Sequence, residues 1–144
     1  KLRTEEFRKG EILPQGGLPD TTADDAPEFL KQYVAYYKSP NRGYHPRSLN
    51  SNMGWNITNQ LMRLNQNLWI AAPEVRTPVL IVHGEKAHSR YFGEEAYQKL
   101  TSGKYADNKR MLIVPDATHC DLYDGGEGNF IPWSEITNFY KSNL

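Results

Sequence analysis

The residues with chemical reach gather in two short stretches, "GEKAHSRY" (residues 84–91) and "PDATHCDLYD" (residues 115–124). Between them and the residue just before stand His83, Glu85, His88, His119, Cys120 and Asp121. A histidine in a loop after a buried strand has the near-neutral pKa a general base needs. His119 occupies such a place, five residues past the apolar run "MLIV". A carboxylate on the other ring nitrogen would fix the tautomer of that base, and Glu85 is the candidate for it. His88 is the candidate substrate contact of the same loop pair. On position alone each has a plainer reading: a solvated loop histidine for His119, a strand-end carboxylate for Glu85, an exposed side chain for His88. Cys120 next to His119 does not make a nucleophile–base pair, because adjacent side chains diverge; a small buried thiol is the commoner case. The His83-x4-His88 spacing matches no standard zinc pattern, so neither a metal nor a cofactor is expected.

A base needs a nucleophile, and the sequence offers no evident one. No serine, nor Cys120, has glycine two residues before and two after, so there is no nucleophile elbow. There is also no P-loop and no G-x-G-x-x-G.

The elements that would position these residues follow from the apolar pattern. "PVLIVHG" is a short continuous apolar run ending at glycine, as expected of a buried strand, and Pro78 suits its first residue. "FGEEAYQKLTS" reads as a helix with Ala96, Tyr97 and Leu100 inward. "RMLIVP" reads as a second buried strand, and "IPWSEITNFYKSNL" as a last helix with Trp133, Ile136, Phe139 and Tyr140 on its apolar face. Strand, helix, strand, helix is the pattern of a parallel sheet. Both following loops then open on the carboxyl edge, where open α/β sheets bind ligands. Adjacent strand ends lie about 5 Å apart, so Glu85, His88, His119 and Asp121 are expected to share one crevice. Two strands do not make a stable parallel sheet, so further strands are expected from elsewhere in a longer protein or from another chain.

Ahead of residue 77 the pattern is different. Residues 1–23 are polar and turn-rich, with Pro14, Gly16, Gly17 and Pro19 as breakers. A helix is expected over Asp25–Lys38, with Asp25 and Glu28 at capping-box spacing and Pro27 in the first turn. "NRGYHPRSLNSNMGW" is irregular and aromatic-rich. A further helical segment is expected near Thr58–Leu68, with Leu61, Leu64 and Leu68 on one side. Both halves of this region read as a cover, so the chain divides into a cap-like segment, 1–76, and a βαβα part, 77–144.

Composition narrows the partners. The 144 residues carry 17 Lys plus Arg and 17 Asp plus Glu, a balance that gives no reason to expect nucleic acid or an anionic membrane surface. The longest apolar runs fall far short of the roughly 20 residues of a membrane span. One cysteine allows no internal disulfide and, with no signal peptide in "KLRTEEFRKG", suits a cytoplasmic setting.

"TPVLIVHGEKAHSRYFGEEAY", "KRMLIVPDATHCDLYD" and the closing amphipathic helix together resemble the end of an α/β-hydrolase, in particular bacterial hydrolases near the dienelactone hydrolases; "YKSPNRGYHPRSLNS" resembles a segment these proteins carry ahead of the last strands. The likeness covers roughly residues 30–144. It implies a Ser or Cys nucleophile on a strand-to-helix turn upstream of Lys1, an acid, and a histidine before the last helix, a position that His119 matches. Many members carry Asp at the third residue after the strand-end glycine; here that residue is Ala87, so the acid is either Glu85, the one expected, or a residue after an earlier strand absent from this chain. The expected fold class is therefore α/β, the C-terminal portion of a hydrolase core behind a cap-like segment, acting on an ester, lactone or amide. Tyr44 and Trp55 are expected to line a small-molecule substrate pocket from the cap. The rival expectation is a binding module that kept the fold and lost the chemistry; a G-x-[SC]-x-G in the parent, upstream of residue 1, would discriminate. Self-association, or pairing with the missing half, is expected from the open sheet.

Overall fold

The computed structural model describes residues 1–56, 58 and 64–143, with the side chains of residues 49 and 50 left aside. They form two compact units, Lys1–Asn67 and Leu68–Leu144. The division falls ahead of the 76/77 boundary read from composition. The reason is that the 3-10 turn Ala72–Glu74 packs against the second unit's own helix, and Pro73 backs directly onto Gly103 beyond it.

The first unit opens with α1, Leu2–Lys9. Glu5 in its first turn and Arg8 and Lys9 in its last complement the helix dipole, and Gly10, at φ 67°, closes it. The short strand β1, Pro14–Gly16, pairs antiparallel with β2, Gly54–Asn56. The segment read as polar and turn-rich, residues 1–23, thus holds a helix and a strand. Its breakers mislead because a tertiary bond organises it. The buried Glu6 carboxylate accepts from the Leu13 N–H at 3.0 Å and from the Thr58 hydroxyl at 2.9 Å.

Helix α2 spans Glu28–Tyr37, shorter than the expected Asp25–Lys38. Pro27 is its N-cap, no side chain caps it, and the Pro27 carbonyl accepts the Leu30 and Lys31 N–H groups. Pro27 is extended, with ψ at 139°, so the helix begins after it and the Asp25–Glu28 capping box does not form. Phe29, Tyr33 and Tyr37 stack edge to face along one side. A four-residue helix, α3 (Leu49–Asn52), precedes β2. The helix expected near 58–68 falls largely on residues 57 and 59–63, Leu61 among them, outside the described residues; Leu64 and Leu68 are exposed.

The second unit follows the expected strand–helix–strand–helix order. Strand β3, Val79–Gly84, and strand β4, Lys109–Val114, pair parallel, in register from Val79↔Lys109 to Gly84↔Val114. Helix α4, Arg90–Leu100, makes the crossover. A short helix, α5 (Asp121–Asp124), and the last helix, α6 (Trp133–Asn143), complete it. Neither strand is buried along its length, unlike the fully covered strands expected: most of their residues are half-buried, because a two-stranded sheet has open edges. The inward face of α6 is also narrower than expected. Phe139 is buried and Ile136 half-buried, whereas Trp133 and Tyr140 are 61% and 57% exposed. On α4, Leu100 is buried but Ala96 and Tyr97 only half so.

The two strand ends are locked together. Glu85 N–H donates to the Val114 carbonyl and Lys86 N–H to the Ala117 carbonyl, both at 2.9 Å. Gly84 is required for this approach: a Cβ there would sit 2.3 Å from the Ala117 carbonyl oxygen. The loops after β3 and β4 are therefore parts of one surface.

Candidate functional site

His119 stands in the turn between β4 and α5, half-buried. The loop that carries it is tied down twice. Ala117 is fully buried, and the Asp121 carboxylate accepts from both the Thr118 N–H, at 2.8 Å, and the Thr118 hydroxyl, at 2.7 Å. That local ring closes the turn that launches α5, with Thr118 and Asp121 at the spacing of a capping pair. It fixes the backbone on either side of His119.

Both ring nitrogens of His119 have hydroxyl partners. Nδ1 lies 2.8 Å from Ser89 Oγ, across from the first loop. Nε2 lies 2.6 Å from the Tyr123 hydroxyl, one helical turn further along. The two aromatic rings meet edge on, their centroids 5.2 Å apart. The His88 ring lies beside them, 6.2 Å centroid to centroid from His119.

A cavity of about 260 Å³ opens at this edge. His83, Ala87, His119, Tyr123, Ile131 and Ile136 are among the residues that line it. The His83 ring, near the end of β3, packs closely against α4 at Gly93, where a Cβ would meet it at 2.3 Å. Burial holds the pKa of His119 below the usual 6.5, and the charges that His88 and His83 would carry push the same way. Burial likewise lowers His83, opposed by Glu94. A half-buried imidazole with a depressed pKa is neutral at pH 7, as a general base must be.

The expected residues come together only in part. His119 and His88 are neighbours, as proposed from strand order. Glu85 does not take the place on Nδ1 proposed for it. Its exposed carboxylate accepts from the Asp116 N–H at 3.0 Å, and Ser89 holds Nδ1. The physical reason lies in the turn: Glu85 continues the strand pairing with Val114, which directs its side chain along the loop to Asp116. Asp121 is likewise engaged by Thr118. Tyr44 and Trp55 belong to the first unit, where both are exposed and Trp55 stands opposite Gln15 in the β1–β2 pair. Cys120 is buried, 3% exposed. Among the described residues, no three His, Cys, Asp or Glu side chains are grouped to hold a metal ion, and no helix is long and apolar enough to cross a membrane.

Sequence reasoning missed Ser89 and Tyr123. Tyr123 had a signal, the His-x3-Tyr spacing that brings two side chains together on a helical turn. Ser89 had a weaker one, a serine just ahead of a helix, which ordinarily reads as a cap.

Known proteins place this arrangement in a longer context. No family model matches the chain. It is 42% identical over 118 residues to the uncharacterized protein PA2218 of Pseudomonas aeruginosa, a match that spans 81% of this chain and 30% of that protein. It is 28% identical over 149 residues to the uncharacterized protein YcjY of Escherichia coli K12, spanning 99% of this chain and 44% of YcjY. The crystal structure of the hypothetical protein PA2218 superposes with a TM-score of 0.81 at 37% identity, over 99% of this chain and 42% of that one. The chain thus spans less than half the length of the relatives it matches.

Proposed function

We propose that this chain is the histidine-bearing part of a nucleophile–His hydrolase of the α/β-hydrolase kind, acting on an ester, lactone or amide. The observation that carries the reading is His119: a neutral, half-buried imidazole on the carboxyl edge of a parallel strand pair. One of its nitrogens is held by a buried hydroxyl, and the other lies on the Tyr123 side, among residues that line a cavity. In this reading Nε2 takes the proton of a Ser or Cys supplied by a segment upstream of residue 1, then returns it to the leaving group. The oxyanion would be met by backbone N–H groups of that same segment. His88, whose ring lies 6.2 Å centroid to centroid from His119, is the proposed substrate contact. A single, buried cysteine suits a cytoplasmic protein.

The longer protein that contains this chain, offered p-nitrophenyl esters of several chain lengths, is expected to turn over at least one. His119→Ala is expected to lower kcat/KM by about a hundredfold or more. Unchanged turnover in that variant sinks the proposal. The 144 residues alone are expected to hydrolyse none of these esters.

A second reading is favoured by one observation. The Tyr123 hydroxyl already occupies Nε2, which suits a packed histidine in a binding module. A sequence upstream of residue 1 without G-x-[SC]-x-G after a buried strand would support it.

A further inference from the structure

Ser89 is the N-cap residue of α4, yet its side chain caps nothing. Serine is favoured at that position because Oγ accepts an orphan N–H of the first turn. Here Oγ turns instead to Nδ1 of His119, 2.8 Å away. The residue is 8% exposed, so water does not compete well for the bond. The backbone around it is set by the turn that follows β3: Ala87 N–H donates to the Gly84 carbonyl, Arg90 N–H to the Ala87 carbonyl and Phe92 N–H to the Ser89 carbonyl. A hydroxyl at the start of an eleven-residue helix, fixed by three backbone bonds, is a rigid point from which to aim a ring.

We infer that Ser89 is the positioning residue of His119, holding Nδ1–H and leaving Nε2 as the basic nitrogen on the Tyr123 side. The inference rests on the proposed role of His119 as a base, which gives the positioning its purpose. The hydrogen-bond donors decide the tautomer. A phenol is a stronger donor than acceptor toward an imidazole, so the Tyr123 O–H donates to Nε2. Nε2 then carries the lone pair, Nδ1 the proton, and the Nδ1–H donates to Ser89 Oγ. A serine at this point orients the ring as a carboxylate would, but adds no negative charge to stabilise the imidazolium. His83 and His88, the titratable neighbours on the β3 side, oppose that charge too, and Tyr123 faces it from α5. Orientation and basicity, which one carboxylate combines, are separated here.

The test is a histidine nitrogen NMR titration of the chain as wild type, Ser89→Ala, Ser89→Gly, Ser89→Thr and Ser89→Asp. The wild type is expected to show His119 mainly as the Nδ1–H tautomer. Ser89→Ala is expected to shift it toward a mixture, Ser89→Thr to restore it, and Ser89→Asp to raise the His119 pKa by about one unit or more. Glycine is well tolerated as an N-cap, so Ser89→Gly removes the hydroxyl without removing the helix start if the alanine variant folds poorly. A His119 tautomer and pKa unmoved in a folded Ala or Gly variant would overturn the inference. In the longer protein, Ser89→Ala is expected to lower kcat about tenfold with little change in KM. A silent His119→Ala there would refute the catalytic reading, while the NMR result would still decide what Ser89 does.

Discussion

The Tyr123 hydroxyl lies 2.6 Å from Nε2 of His119, the same nitrogen that would have to receive a nucleophile's proton. Catalysis through His119 therefore requires Tyr123 to give way or to share the site. Tyr123 is about half exposed and sits on the four-residue helix α5, so little packing holds it. Removing the hydroxyl with Tyr123→Phe costs one partly exposed hydrogen bond, about 1 kcal/mol. If His119 is the base, kcat/KM of the longer protein for an ester is expected to hold or to rise up to about fivefold. A large fall would instead make the Tyr123 hydroxyl part of the chemistry.

The depressed histidines set a pH window. His119 and His83 are both held below 6.5 in the folded chain, by burial first. As pH falls, the unfolded chain binds protons at these positions before the folded chain does. Their contribution to stability is thus complete above pH 6.5 and is lost as pH falls from there through the folded pKa values. Urea midpoints are expected to fall as the pH drops below about 6.5, and the fall should be shallower in His119→Gln. The acid limb of kcat/KM is expected below 6.5 for the same reason. A midpoint flat across this range, or one that rises, would contradict the burial argument.

Gly84→Ala tests the lock between the two loops. The added methyl would meet the Ala117 carbonyl oxygen at 2.3 Å, and a backbone atom there cannot swing aside. A destabilisation of about 1–3 kcal/mol is expected from chemical denaturation. Because the same clash pushes on the turn that carries His119, its ring resonances are expected to shift as well. A variant with wild-type stability would show that the loops are not held at this distance.

The β3–β4 pair should not remain alone. Among the described residues each strand pairs only with the other, so both outer edges present unpaired backbone groups. A hollow of about 240 Å³ beside them, lined by Leu80, Met111, Leu112 and Phe139, adds apolar surface. Such edges invite strand addition from a second copy or from the rest of a longer protein. In sedimentation velocity the 144-residue chain is expected to run faster than a 16.5 kDa monomer. A single monomeric boundary at high concentration would count against this.

The sequence was informative where the signal is local. Apolar runs ending at Gly84 and before Pro115 marked β3 and β4, because a short continuous apolar stretch bounded by turn residues reads as a strand, even though most of its residues are only half-buried here. The spacing of Phe29, Tyr33 and Tyr37 marked α2, because 3.6 residues per turn puts them on one side. Strand order alone placed His88 and His119 on the same edge. It failed where one bond between distant residues decides the outcome. The pairing of β1 with β2 depends on chain segments some forty residues apart, and nothing in "ILPQGG" announces it. Glu85 was assigned to His119 because both follow strands that end on the same edge, yet the pairing of its backbone with Val114 sends its carboxylate to Asp116.

What the sequence by itself determined is the parallel strand pair, the helix between its strands, and the edge on which two histidine-bearing loops open, because these follow from periodicity and chain direction. What only the tertiary structure decided is which atoms meet His119. Ser89 reaches one nitrogen from the start of α4 and Tyr123 the other from α5, at 2.8 and 2.6 Å, and a hydrogen bond forms or fails over a few tenths of an ångström. That precision comes from the backbone bonds closing the two turns, and residue types and spacing carry no record of it.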